Sequence, residues 1–163
     1  YGNVNKPGVY LDENTLRMCR THRMMFAQLA EALYIEGMKQ QDTLIKQDKH
    51  KKVLEVLDYA EKVLPEYNVS YDHSSISMAA LYYELGEIEK GNCIIDKVAT
   101  NATEYIEWGK TISAEKMKSA ESTIEQQFAI LNYALEYLER FEQKELFNKY
   151  YKYYELYRNS STL

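Results

Sequence analysis

The stretch VLEVLDYAEKVLP at residues 53–65 decides the fold. Its apolar side chains recur every three or four residues, which predicts a helix with one buried face. Val53, Leu57 and Ala60 alternate small and large groups on that face, and Pro65 prevents the helix from continuing. Small residues let a second, antiparallel helix approach closely, because large side chains would wedge the two helices apart. The stretch therefore predicts one helix of a hairpin.

The same spacing recurs once more along the chain. Gly91, Ile95 and Val98 stand four and three residues apart, and Gly86 stands five residues before Gly91. This pattern, behind a glycine that ends the preceding helix, is typical of the second helix of a tetratricopeptide hairpin. Two such strings in register predict a tetratricopeptide-like repeat.

Two further positions extend the repeat in a weaker form. Gly37 ends the first helix in the same role, provided that residues 38–48 are an inserted loop. Leu146, Tyr150 and Tyr153 keep the spacing of the second helix, but all three are large. We therefore expect a third, degenerate hairpin at the C-terminal end.

Caps and breakers predict an all-α fold of about six helices in antiparallel hairpins, arranged as a right-handed stack. Asp12, Asp48, and Ser74 or Ser75 are the expected N-caps of the first three helices. The others are expected at about 88–109, 113–141 and 143–157. We expect a single helical-repeat domain over 12–158, with hairpins at about 12–65, 74–108 and 113–158, an extended lead-in at 1–11 and a tail at 159–163.

The composition excludes several classes of protein. A net charge of -5 over 163 residues argues against general nucleic-acid binding, although residues 1–52 carry nine basic against six acidic residues. No apolar run is long enough to span a bilayer or to form a signal peptide, so direct membrane insertion of this fragment is not expected. Cys19 and Cys93 lack metal-ligand spacing, and we expect two buried thiols rather than a disulfide. Because the chain opens on Tyr1 rather than methionine, we expect a piece of a longer protein.

Three stretches carry a resemblance to a known family: VYLDENTLRMCRTHRMMFAQLAEAL at 9–33, VLDYAEKVLPEYNVSYD at 56–72 and LYYELGE at 81–87. They resemble the C-terminal region of a family of large multi-pass membrane proteins of Gram-negative bacteria. That family is described by a domain of unknown function and is grouped with protein O-mannosyltransferase-like glycosyltransferases. The resemblance covers about Val9 to Trp108, and the segment KQQDTLIKQDK departs from it as an insertion.

The resemblance implies an upstream, membrane-embedded catalytic part and places this domain on the periplasmic side of a bacterial inner membrane. It assigns no catalytic residue to this region. On this interpretation the domain is a non-catalytic appendage that docks a protein, a peptide, or the membrane-embedded part of its own chain. The alternatives are a free-standing cytoplasmic scaffold that binds peptides, and a helical domain that binds carbohydrate.

No motif for a catalytic, metal or cofactor site occurs in the sequence, so we predict that this domain is not an enzyme and needs no cofactor. Asp72, His73 and Ser74 have the residue types of a catalytic triad. Adjacent residues cannot point at one another in the order that a triad needs, and we expect a turn and a helix cap.

Two basic clusters are candidate anion contacts. Arg17, Arg20 and Arg23 crowd the first predicted helix together with His22, and they could bind a phosphate, an acidic sugar or a carboxylate. Pairing of Glu13 with Arg17 accounts for only part of that cluster. A second group straddles the predicted start of the second helix, where we favour a solvated loop end over a membrane-surface contact. It consists of Lys46, Lys49, His50, Lys51 and Lys52.

A tetratricopeptide groove would be lined by the inner faces of the first and third helices. The expected lining residues are Ala27, Glu31, Tyr34, Ile76, Ala80 and Tyr83. Of these, Glu31, Tyr34 and Tyr83 are candidate binding residues, and Trp108 joins them as a ring that could stack on a sugar.

The C-terminal helix holds more aromatic residues than one face can bury. Tyr150, Tyr153, Tyr154 and Tyr157 form a stripe at helical spacing that we assign to the core. Phe147, Tyr151 and Tyr154 are the candidate interface residues of this helix. In the predicted insertion, Asp42, Thr43 and Leu44 match an O-glycan acceptor pattern of some Gram-negative bacteria, which makes Thr43 a candidate glycosylation site.

Overall fold

The computed structural model describes residues 2–160, without the side chains of Ala114, Tyr157, Asn159 and Ser160. That part of the chain contains six α-helices and no strand, which confirms the all-α prediction. A 3₁₀ turn at His73–Ser75 precedes the third helix. The helices are α1 (Glu13–Met38), α2 (Thr43–Val63), α3 (Ile76–Glu84), α4 (Ile88–Gly109), α5 (Ala114–Arg140) and α6 (Lys144–Ser160).

The helices belong to two compact units, Tyr1–Gly91 and Asn92–Leu163. The first contains α1, α2 and α3 with the first residues of α4, and the second contains the rest of α4 with α5 and α6. The single domain over 12–158, the right-handed stack and the tetratricopeptide type of the hairpins stay predictions.

The first unit is built on the hairpin of α1 and α2. Asp12 caps α1 as predicted, since its carboxylate accepts the backbone N–H groups of Asn14 and Thr15 at 2.9 and 3.1 Å. The predicted loop at 38–48 is wrong, because α2 begins at Thr43 and Asp42 is its N-cap. The inserted residues therefore lengthen both helices of the hairpin and leave a connection of only four residues, 39–42.

A close contact joins this polar segment to the end of α1. A Cβ atom added to Gly37 would lie 2.9 Å from the Cβ of Lys49, so the absence of a side chain at Gly37 lets the first turns of α2 pack against the end of α1. Further along α2, Val53, Leu57 and Ala60 are fully buried, as their spacing predicts.

The predicted extended lead-in instead forms consecutive turns that pack on the segment after α2. Val4 joins Cys19, Leu64 and Val69 in a buried cluster. The carboxamide of Asn68 donates to the carbonyl oxygens of Val4 and Lys6, both at 2.6 Å. These bonds tie the lead-in to the segment that follows α2.

A tight turn joins α3 to α4. Gly86 has a φ of +80°, which an L side chain rarely adopts, and the N–H of Glu87 bonds the carbonyl of Tyr82 at 2.8 Å. Just beyond it, Gly91 lies under the ring of Tyr83. A Cβ atom at Gly91 would come within 2.5 Å of Tyr83 Cε1, so this glycine allows the close approach that the repeat spacing predicted.

In the second unit, α5 packs against α6, and Tyr150 anchors α6 to α4. The buried Tyr150 hydroxyl lies 2.7 Å from both the Asp96 carboxylate and the Thr100 hydroxyl. The Lys149 ammonium donates to the same carboxylate at 2.7 Å. Tyr150 is therefore core as expected, Tyr153 and Tyr154 are half-buried, and the side chain of Tyr157 lies outside the described residues.

One expectation about burial is wrong, and some apolar residues of α1 are exposed. Cys93 is exposed, although Cys19 is buried and both thiols are free as expected. Met24 and Leu29 of α1 are exposed as well. The reason is that α1 carries more apolar residues than the face toward α2 and α3 can cover.

Candidate functional site

Arg23, one of the candidate anion contacts, is an interior residue. Its side chain is 1% exposed, and its guanidinium donates to three backbone carbonyls beyond the end of α2. The donor–acceptor distances are 2.7 Å to Leu64, 2.5 Å to Val69 and 3.0 Å to Ser70. In this arrangement the donors of Arg23 are directed to these carbonyls, and its contact with an external anion stays a prediction.

Arg23 is buried beside a carboxyl group and an aromatic ring. Burial lowers the pKa of Arg23 from its usual range, and the nearby Glu61 carboxyl opposes that shift. Burial likewise raises the pKa of Glu61, against the hydrogen bond that Glu61 accepts from Tyr71. The guanidinium carbon also lies 4.9 Å from the centre of the Tyr71 ring. The group as a whole holds the segment after α2 in place.

The other two arginines remain on the surface. Arg17 donates to the Asn14 carboxamide at 3.1 Å, one turn back on α1. Arg20 lies 4.0 Å from the Asp72 carboxylate, an acidic partner that local sequence does not reveal. Asp72 also caps the 3₁₀ turn by accepting the N–H of Ser74, which agrees with the turn and cap predicted for Asp72, His73 and Ser74. A solvent anion can reach Arg17 and Arg20 but not Arg23.

The expected groove is largely closed. Ala27, Ile76 and Tyr83 are buried, so in this arrangement they do not form an open surface, and their role in a binding groove stays a prediction. Tyr83 fills the space above Gly91, and burial raises its pKa. Tyr34 is half-buried, where its hydroxyl donates to Glu84 at 3.2 Å and its ring stacks on His50. Of the six expected groove residues, only Glu31 is exposed.

The second basic group lies inside α2 rather than at its start. Lys49 pairs with Glu36 at 2.9 Å and Lys52 pairs with Asp48 at 2.6 Å. Lys51 lies 3.8 Å from Glu55. These pairs stabilise the first two turns of α2 and its contact with α1 modestly, because surface ion pairs each contribute about 0–1 kcal/mol.

An exposed apolar seam runs along α1, and sequence reasoning missed it. Met18, Met25 and Leu29, which we call the α1 seam, are 60%, 57% and 50% exposed. Their separations of seven and four residues place them on one face of the helix, at the spacing by which a helix packs against a partner helix. Methionine is a flexible apolar side chain that adapts to different partners. The sequence of α1 contains more apolar residues than one buried helix face can hold, and this excess could have indicated the α1 seam.

A second exposed apolar group stands where α1 meets α2. It consists of Ile35, Met38, Leu44 and Ile45, which we call the hairpin tip. Leu44 is 76% exposed, and the other three are 46–51% exposed. Thr43, the candidate glycosylation residue, is exposed at the same place as the first residue of α2.

Trp108, a candidate for sugar stacking, lies at the end of α4 in the second unit. It is about half exposed and contacts Tyr105 edge to face, with ring centres 6.2 Å apart. Tyr83, the other ring candidate, belongs to the first unit, where it is buried.

The candidate interface residues of α6 form a ladder of rings. Phe147 stacks on Tyr151 at 5.1 Å, Tyr151 on Tyr154 at 6.0 Å, and Tyr154 on Phe128 of α5 at 4.9 Å. Because the ring faces contact one another, mainly their edges are left for a partner. Phe147 also lines an open pocket of about 260 Å³ at the turn between α5 and α6, together with Leu138, Glu139, Glu142, Lys144 and Asn148.

Over residues 2–160, the structure brings no three histidine, cysteine or acidic side chains into a group that could hold a metal ion. Within the same residues, every helix is too short or too polar to cross a membrane. Searches of protein-family models, curated proteins and solved structures found no match for this chain.

Proposed function

We propose that this chain is a non-catalytic, extracytoplasmic helical-repeat module of a larger membrane protein, and that the α1 seam docks a helix of a partner protein. The observation that carries the docking proposal is the exposure of Met18, Met25 and Leu29 on one face of a 26-residue helix. Exposed apolar patches of this kind mark interaction sites in soluble domains.

The proposed occupant is an amphipathic helix. A seam with spacings of seven and four residues matches the apolar face of a helix, whose side chains recur with the same period. An extended peptide alternates its side chains every two residues and would match this spacing less well. In the parent protein, such a helix belongs either to an acceptor protein or to the membrane-embedded part of the same chain.

Two observations support a docking role over catalysis. The polar cluster at Arg23 is directed to backbone carbonyls, and Asp72 serves as a cap, so both are used by the fold itself. The association with a membrane glycosyltransferase-like protein, and with the periplasm, rests on the sequence resemblance over about Val9 to Trp108.

A photo-crosslinking amino acid at Met25, in the parent protein of the native host, tests the docking surface. We expect a covalent adduct whose cross-linked peptide, mapped by mass spectrometry, lies in a helical segment outside residues 1–163. The same amino acid at Lys62, an exposed position of α2, is the matched control. Met18→Glu with Leu29→Glu should abolish the adduct while the helical circular dichroism is kept. An adduct no stronger at Met25 than at Lys62 would contradict the proposal.

A further inference from the structure

The hairpin tip combines exposed apolar side chains with cations that the fold does not use. Leu44 and Ile45 stand in the first turn of α2, and Ile35 and Met38 stand in the last turn of α1. A connection of only four residues holds the two helix ends together, so all four exposed residues lie at the same end of the hairpin. Their exposure to water has a free-energy cost that grows with their apolar area. Contact with an apolar surface would remove that cost.

The charges of residues 35–52 indicate the sign of charge on the surface that this end of the hairpin would bind. Residues 35–52 carry five lysines and three acidic residues, in a chain whose net charge is -5. The acidic groups are engaged: Glu36 pairs with Lys49, Asp48 pairs with Lys52, and Asp42 caps α2. Within the described part of the chain, the ammonium groups of Lys39 and Lys46 have no hydrogen bond or ion pair. The free charge of the tip is therefore positive.

We propose that the hairpin tip is a peripheral contact for an anionic lipid surface. The four apolar side chains would enter the boundary between headgroups and acyl chains, while Lys39 and Lys46 lie at the level of the phosphates. This combination of apolar and basic groups is what holds amphipathic segments at a membrane surface. The contact requires no membrane-spanning helix, and it is separate from the α1 seam, so either proposal can fail alone.

Flotation of the 163-residue chain with lipid vesicles tests this proposal. The probes are vesicles of phosphatidylcholine alone and of phosphatidylcholine with 30% phosphatidylglycerol, at 0.15 M and 1 M NaCl. We expect binding to the anionic vesicles at least tenfold tighter than to the neutral ones. High salt should weaken the binding, because it screens the lysines.

Three double variants locate the contact. Leu44→Ser with Ile45→Ser, and Lys39→Glu with Lys46→Glu, should each weaken binding to anionic vesicles at least tenfold without changing the helical circular dichroism. The matched control is Met18→Ser with Met25→Ser, which removes exposed apolar groups from the α1 seam and should keep binding within twofold. Absence of flotation with anionic vesicles would overturn the proposal. Equal binding by the tip variants, or an equal loss in the control, would also overturn it.

Discussion

Replacing Arg23 by methionine is expected to lower the free energy of unfolding by about 3–5 kcal/mol, because the change leaves buried groups without a partner. Methionine keeps much of the side-chain volume, so the loss of unfolding free energy measures mainly the contribution of the charge and its hydrogen bonds. Without the guanidinium, the carbonyls of Leu64, Val69 and Ser70 lose a buried donor, and Glu61 loses the nearby positive charge. Urea denaturation followed by circular dichroism measures the change.

Arg20→Met is the matched control for that experiment. Arg20 stands on the same helix, and its 4.0 Å pair with the half-buried Asp72 is open to solvent on the Arg20 side, so its removal should lower the free energy of unfolding by less than about 1 kcal/mol. The loss of unfolding free energy in Arg23→Lys should lie between those of Arg20→Met and Arg23→Met. An ammonium keeps the charge but cannot donate to three carbonyls as the planar guanidinium does. An Arg23→Met protein as stable as the Arg20→Met protein would show that Arg23 is not part of the framework.

Gly91→Ala is expected to lower the free energy of unfolding by about 1–3 kcal/mol through overpacking. Alanine has the higher helix propensity, so any loss must come from the contact with the neighbouring ring. The new Cβ would lie 2.5–2.9 Å from three carbons of Tyr83, and that buried ring has little room to move. Thermal and urea denaturation of the variant measure the loss.

Gly109→Ala provides the matched control, because Gly109 is also a buried glycine of α4. Its new Cβ would meet the Cδ1 end of Ile124 at 2.5 Å, and a terminal methyl group can rotate away. We expect its stability to remain within about 1 kcal/mol of the unaltered chain, because helix propensity offsets the contact. If both variants lost the same stability, the close approach at Gly91 would have no special role.

The helices that follow strong local signals could be predicted from the sequence. Asp12 caps α1 and Gly86 ends the turn after α3, because each signal acts through hydrogen bonds or dihedral angles within a few residues. The start of α2 at Thr43 does not follow from apolar periodicity, although Asp42 is a local N-cap there. The segment before Asp48 lacks a regular apolar pattern, and it packs on the end of α1 through the close approach of Gly37 and Lys49.

The candidate site was harder to predict than the fold. Arg23 resembles a surface cation in the sequence, since the carbonyls that it binds lie 41 to 47 residues further along the chain. Tyr83 was placed in a groove, although the missing side chain at Gly91 makes the space that buries it. Leu29 fits a helical pattern equally well whether it is buried or exposed, so the α1 seam becomes visible only through the packing of its neighbours.

Separation of membranes from soluble fractions of the native host, followed by an immunoblot with an antibody to this domain, tests the central claim most directly. We predict a membrane-bound band several times larger than 19.2 kDa. Protease added to the periplasm should cleave that band, because the module is proposed to lie outside the cytoplasm. A soluble band near 19.2 kDa, protected from periplasmic protease, would contradict the proposal and would favour a free cytoplasmic scaffold.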